Sequence, residues 1–123
     1  MKFTLDRPVG VNVVRAYSHQ EIRIGEHIIH GSCIVMADAL ITDWEPATSA
    51  DLAVPHLDRI FELKPELVVL GTGPLQRFPR SDVRAAFTSR QIGLETMDLG
   101  AACRTYNVLV SEGRRAAAAL FLE

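Results

Sequence analysis

The feature that most constrains the fold is a short run of branched apolar residues that a glycine turn stops abruptly. The run consists of Leu67, Val68, Val69 and Leu70. This pattern is typical of a strand that is buried on both faces of a sheet. Gly71, Thr72, Gly73 and Pro74 follow directly and end the strand. A Gly-x-Gly turn between a strand and a helix marks the carboxyl edge of an α/β sheet, so the sequence predicts a candidate site there.

The second half of the chain then alternates between helix and strand patterns. Ser81 or Asp82 is placed to cap a helix, and Gly93 is placed to end it. That helix would bury Val83, Ala86 and Phe87. An inner strand is predicted over residues 94–98, and the alanine-rich segment 114–122 predicts a last strand on which a neighbouring element packs closely.

A second helix is predicted over residues 101–111, between those two strands. Asp98 is placed to cap its start, and Gly113 is placed for a left-handed cap at its end. The helix would present Ala102, Tyr106, Leu109 and Val110 to the core.

Strands 67–71 and 94–98 are joined through a single helix, and such crossovers leave the two strands parallel. Both strand ends therefore meet at one edge of the sheet, beside the free amides and positive dipole of a helix N-terminus. We expect this place to bind a small anionic molecule. The residues predicted to line the site are Gly71, Thr72, Gly73, Asp98, Arg104 and Asn107.

Arg104 lies in the first turns of the second helix, where a cation costs from a few tenths to about 1 kcal/mol. Asp98, Glu95 or a bound anion would each offset that cost. Arg104, Asn107 and Ser111 share one stripe of the helix surface. This stripe either contains an ion pair and otherwise faces solvent, or it contacts a ligand. Glu95 lies within the predicted inner strand, where a buried carboxylate needs an arginine partner or a raised pKa.

A local cluster of basic residues follows the glycine turn. It comprises Arg77, Arg80, Arg84 and Arg90, beside Phe78 and Pro79. This cluster is either the solvated face of a helix or a docking surface for an acidic protein partner.

The first half of the chain favours short strands. Residues 1–9 are predicted to form an irregular lead-in, and residues 10–44 an antiparallel meander with closely spaced turns. Pro55 suits the first turn of a helix in which Leu57, Ile60 and Phe61 form an apolar stripe.

Composition limits the function classes. The 123 residues fit a single domain, predicted to span residues 1–123, and 13 basic against 15 acidic residues argue against nucleic-acid binding through bulk charge. No apolar run is long enough to predict a transmembrane segment, and no targeting segment is predicted, so a cytoplasmic location is expected.

No catalytic, cofactor or metal motif is predicted. The single Gly-x-Gly turn lacks the rest of a nucleotide-binding signature. Cys33 and Cys103 have no zinc spacing and are expected to be reduced thiols. Cys103 would have a lowered pKa if the helix N-terminus stabilised its thiolate, but its spacing from Tyr106 and Val110 favours a core position.

Several segments together resemble the Mth938-like (DUF498) domain family. They are Leu70–Gly73, Gly93–Asp98, Ala101–Leu109 and Ser111–Arg115, with the β-rich first half and Trp44 ahead of the first helix. The resemblance implies an α/β domain of three layers around a central mixed sheet, in which one strand runs against the others. It also implies a kinship with a mitochondrial assembly factor for respiratory complex I, and it supplies no catalytic residues.

Two functional hypotheses follow. The first is a non-enzymatic binding or assembly protein that contacts a protein partner through Arg77, Arg80 and Arg84. The second is a small-molecule site at the carboxyl edge of the sheet, belonging either to a binding protein or to an enzyme. The sequence favours the first and leaves the oligomeric state open.

Overall fold

The computed structural model describes residues 10–123, so the predicted lead-in at residues 1–9 lies outside the described part of the chain. Three strands form a small antiparallel sheet: β1 (Val14–Tyr17), β2 (Ile22–Ile24) and β3 (His27–Ile29). Five strands form a larger sheet: β4 (Cys33–Met36), β5 (Ala39–Ile41), β6 (Leu67–Thr72), β7 (Gly93–Met97) and β8 (Ala116–Phe121). The α-helices are α1 (Asp58–Phe61), α2 (Ser81–Ser89) and α3 (Leu99–Ser111), and short 3-10 turns span Ser49–Asp51 and Val54–Leu57.

The larger sheet has the strand order β5-β4-β8-β6-β7. β6 runs parallel to β7, as the crossover argument predicts, and also parallel to β8, whereas β4 runs antiparallel to β8 and to β5. The sheet is therefore mixed, and the predicted three-layer α/β fold is confirmed.

Successive side chains of β4, β6 and β8 point to opposite faces of the sheet and divide the core in two. On one face, Val69 and Ala118 pack with α3 and the small sheet. On the other face, Leu70 and Ala119 pack with α1, α2 and Trp44. The larger sheet is thus the middle layer, and α2 and α3 lie on opposite sides of it.

Helix α3 agrees closely with the sequence prediction. Asp98 is its N-cap, and the Asp98 carboxylate accepts a hydrogen bond from the Ala101 amide at 2.8 Å. Gly113 has a φ of 77°, the left-handed conformation expected beyond the helix end. The helix begins at Leu99, two residues earlier than predicted.

Three predictions around α2 and β7 are wrong. The helix begins at Ser81 with Arg80 as N-cap and without a side-chain cap, so neither Ser81 nor Asp82 has the capping role. Gly93 begins β7 instead of ending α2, because the chain reverses at Gln91, which adopts a φ of 58°.

The third correction concerns β7 itself, which is an edge strand and not an inner one. Glu95 is consequently exposed, and the buried carboxylate expected from its sequence position does not exist. Leu94 and Met97 suggested an inner strand, but each is only partly buried because β7 has a neighbouring strand on one side.

Within residues 10–123, no helix combines the length and the apolar character needed to cross a membrane.

Gly71 gives a test of how tightly α3 packs on the sheet. A Cβ atom at this position would lie 2.8 Å from the Ala102 Cβ and 3.1 Å from Leu120. We expect Gly71→Ala to lower the free energy of unfolding by about 1–3 kcal/mol, because the overpacked helix must shift. Urea denaturation followed by circular dichroism measures this change. Gly31→Ala is the control, since a Cβ there meets nothing within 4 Å; equal stabilities of the two variants would contradict the packing argument.

Candidate functional site

The two crossover loops predicted to lie side by side meet at the carboxyl edge of the sheet. The Leu99 amide of the second loop donates to the Gly73 carbonyl of the first at 2.7 Å. Next to this contact is a cavity of about 340 Å³. Gly73, Asp98 and Arg104 line it, so the structure brings together three of the residues predicted for the ligand site.

The other three predicted ligand residues lie away from this cavity. Gly71 is enclosed by Ala102 and Leu120. Thr72 is fully buried, and its hydroxyl donates to the Leu75 carbonyl at 2.7 Å and accepts from the Arg77 amide at 2.9 Å. The hydroxyl of Thr72, a residue predicted to line the ligand site, is therefore engaged in hydrogen bonds that hold the loop after β6.

Asn107 has a structural role as well. Its side-chain oxygen accepts from the Val14 amide at 2.9 Å, and its side-chain nitrogen donates to the Val14 carbonyl at 2.8 Å. From the preceding position of α3, the Tyr106 hydroxyl donates to the Asn12 carbonyl at 2.7 Å. These bonds attach the small sheet to α3, and the structure places Asn107 outside the lining of the cavity.

Arg104 has a hydroxyl partner where Asp98, Glu95 or a bound anion was expected. Its guanidinium donates to the Tyr17 hydroxyl at 2.8 Å. Within residues 10–123 it forms no ion pair with Glu95, Asp98 or any other carboxylate. Its charge at the positive end of α3 is therefore not neutralised by the described residues.

Tyr17 is the site residue that sequence reasoning missed. It lies on β1, 87 positions before Arg104, and it reaches the cavity because the small sheet packs against α3. A Cβ at Gly100 would lie 2.7 Å from the Tyr17 hydroxyl, so the glycine permits this close approach. The only sequence signal was a glycine in the first turn of a helix, where it lowers helix propensity.

A second region combines exposed apolar and basic side chains. We call it the Arg/Phe surface, and it comprises Leu75, Arg77, Phe78, Arg80 and Arg84. Phe78 is 73% exposed and Leu75 is 62% exposed. Arg80 pairs with Asp82 at 3.0 Å, and Arg77 lies 3.7 Å from Glu123. Arg84 forms no ion pair with any acidic residue of the described chain.

Neither cysteine lies in a reactive environment. Burial raises the pKa of Cys33 to about 12, and it raises the pKa of Cys103 to about 12. The core position of Cys103 is therefore confirmed, and the alternative of a lowered pKa is wrong. In residues 10–123 no three histidine, cysteine, aspartate or glutamate side chains are grouped as metal ligands would be.

The profile of a family described as "Protein of unknown function (DUF498/DUF598)" matches residues 14–121. This match covers both sheets and all three α-helices, and the chain belongs to this family.

Relatives with a named role exist in animals. A zebrafish (Danio rerio) protein named NADH dehydrogenase [ubiquinone] 1 alpha subcomplex assembly factor 3 is 34% identical over 110 residues, which are 88% of this chain and 63% of the relative. The human protein of the same name is 29% identical over 109 residues, which are 87% of this chain and 59% of the relative. The chain therefore spans about 60% of the length of these relatives.

Solved structures confirm the fold. The solution structure of a Xanthomonas campestris protein has a TM-score of 0.84 and 40% identity, covering 99% of this chain and 92% of that one. A Bordetella pertussis protein described as an Mth938-like domain has a TM-score of 0.83 and 25% identity, covering 98% of this chain and 92% of that one.

The raised thiol pKa values predict that both cysteines are chemically silent in the folded protein. At about pH 8 a thiol-specific disulfide reagent should modify neither thiol, because each remains buried and protonated. Unfolding in urea should make both react, and absorbance of the released thiolate counts them. Rapid modification of the native protein without loss of structure would contradict the burial of Cys33 and Cys103.

Proposed function

We propose that this protein is a non-catalytic, assembly-type binding protein that contacts a protein partner through the Arg/Phe surface. Zebrafish and human relatives named as assembly factors for an NADH dehydrogenase subcomplex support this role. By analogy, an incompletely assembled subunit of such a complex is the proposed partner. The predicted cytoplasmic location stays a prediction.

The observation that carries the proposal is the exposure of Phe78 and Leu75 beside three arginines. Burying large apolar side chains is the main favourable free-energy term in protein association, and exposing them in the free protein contributes nothing to its stability. Aromatic and arginine side chains are also the residue types enriched at the energetic centres of interfaces. Leu75 and Phe78 would supply apolar contact, and Arg84 would supply a charge available for a carboxylate.

The charge of the Arg/Phe surface favours an acidic partner. The whole protein has a formal net charge of -2, so this cluster of arginines has the opposite sign to the molecule as a whole. Complementary potentials accelerate encounter and suppress binding to unsuitable partners. The loop after β6, which carries Leu75, Arg77 and Phe78, is held from the interior by the Thr72 hydroxyl. Because the loop is already ordered, binding costs less conformational entropy.

The cavity at the carboxyl edge supports a second candidate function, the binding of a small oxyanion such as a carboxylate or phosphate. Arg104 and Tyr17 present a charged donor and a hydroxyl 2.8 Å apart, and the Arg104 charge has no carboxylate partner in the described chain. A cavity of about 340 Å³ at this place is within the size range of small-molecule sites.

Reversing a charge on the Arg/Phe surface tests whether this surface binds the partner. We expect Arg84→Glu to reduce recovery of the partner proteins captured by the tagged full chain from extracts of its own cells, because it places repulsion against an acidic surface. Quantitative mass spectrometry measures the recovery. Arg15→Glu is the matched control, since it makes the same charge change at an exposed position on β1, in the opposite outer layer.

The two variants also define how this test fails. An equal decrease in partner recovery with Arg15→Glu would indicate a general effect of net charge. Unchanged recovery with Arg84→Glu would show that the Arg/Phe surface does not bind the partner. Circular dichroism of both variants confirms that the fold is retained.

A thermal-shift titration with citrate and with phosphate tests the cavity. We expect a bound oxyanion to raise the melting temperature of the wild type, because a ligand that binds only the folded state stabilises it. Arg104→Ala should abolish the shift and Tyr17→Phe should reduce it, whereas Arg15→Ala should leave it unchanged. An equal shift in Arg104→Ala would show that the anions act elsewhere.

A further inference from the structure

Strand β7 forms one edge of the larger sheet, and the hydrogen-bond pattern shows which of its backbone groups face outward. In a parallel pair the amide and carbonyl of one residue point to the same side, and successive residues alternate. The Gly93 amide donates to the Glu66 carbonyl at 3.2 Å, so Gly93 faces β6. The backbone groups of Leu94 and Thr96 therefore face away from the sheet.

One outward group already has a partner from the loop after β6. The Gln76 side-chain amide donates to the Thr96 carbonyl at 2.8 Å. Within residues 10–123, the Leu94 amide, the Leu94 carbonyl and the Thr96 amide have no hydrogen-bond partner. A row of unpaired backbone groups of this kind is a template for another strand.

A groove of about 520 Å³ lies directly beside this edge, on the α2 side of the sheet. Phe78, Ile92 and Leu94 contribute apolar surface to a lining that is otherwise largely polar, and Arg84 is one of the lining residues. The Leu94 side chain belongs to the core on the α2 side. Alternate side chains of a strand paired with β7 would therefore enter the groove.

We propose that an extended, acidic segment of the partner protein adds to β7 as a sixth strand of the larger sheet. This inference rests on the proposed function and specifies its mode of binding. The segment carries an apolar side chain with acidic residues two positions away, which places all three on one face. The apolar side chain enters the groove against Phe78 and Leu94, and a carboxylate pairs with Arg84.

Charge distinguishes this occupant from a second copy of the same chain. Two copies paired through β7 around a two-fold axis would bring their Arg84 side chains towards the same interface. Like charges across paired strands are destabilising, whereas an acidic segment gains from the same arginine. The unpaired arginine therefore favours a different, acidic protein.

The probe is a short synthetic peptide in which glutamate, leucine and glutamate alternate with threonine. Its control replaces both glutamates by lysine. Fluorescence anisotropy of labelled peptide measures binding to the full chain, and NMR hydrogen exchange follows the Leu94 and Thr96 amides. We expect the acidic peptide to bind and to slow exchange of both amides, and we expect the lysine peptide to bind at least about tenfold more weakly.

Two substitutions at one position isolate the backbone contribution. Thr96→Pro removes the outward amide, which an edge strand tolerates because the β6–β7 ladder does not use it. We expect it to weaken peptide binding by about tenfold, since a peptide carbonyl loses its donor. Thr96→Val keeps the amide and should bind as the wild type does.

The outcomes separate the strand addition from the proposed function. If Thr96→Pro binds normally and Arg84→Glu binds weakly, the Arg/Phe surface is used without strand pairing and the inference is overturned. If the acidic peptide does not bind the wild type, or binds without slowing exchange at Leu94, the inference is overturned without recourse to any variant. A dimer of the free chain by sedimentation velocity that Thr96→Pro dissociates would assign the edge to a second copy.

Discussion

The structure depends on the burial of β8 between two packed layers. Its four alanines, residues 116–119, are all buried and pair with β6 on one side, and all of them except Ala116 also pair with β4 on the other. This central strand joins the β-rich first half of the chain to the α/β second half. Its small side chains let helices approach from both faces, and larger groups such as Trp44 and Tyr106 fill the space around them. A sheet built around larger residues at these positions would hold the two outer layers further apart.

With β8 in the centre and β6 beside it, β7 becomes the outermost strand, and both candidate regions result from this order. The edge cavity lies on the α3 side, and the Arg/Phe surface lies on the α2 side, with the loop after β6 contributing to each. Thr72 fixes that loop from the interior through its hydroxyl. Thr72, which was predicted to line the ligand site, therefore positions Leu75 and Arg77 of the Arg/Phe surface. The loop after β6 connects this surface to the cavity.

The sequence predicted the elements that have strong local signals. Branched apolar residues located β6, and Asp98 and Gly113 located the ends of α3, because caps and buried strands depend on neighbouring residues. Whether a strand lies at the edge depends on the order of all strands in the sheet and not on the residues of that strand. Leu94 and Met97 therefore suggested an inner strand, and Glu95 was expected to be buried. Of the predicted ligand residues, Gly73, Asp98 and Arg104 share the cavity. The contact of Tyr17 with Arg104 depends on how the small sheet docks on α3, and Gly100 was its only signal in the sequence.

Trp44 has a consequence for how this protein can be observed. It is the single tryptophan of the chain, and its indole nitrogen donates to the His56 carbonyl at 3.1 Å while its ring lies 5.3 Å from that of Phe121. The indole thus senses only the compartment shared with α1 and α2. Its intrinsic fluorescence therefore reports changes in packing on the α1 and α2 side of the larger sheet. Detachment of the small sheet, on the opposite side, would leave the surroundings of the indole unchanged.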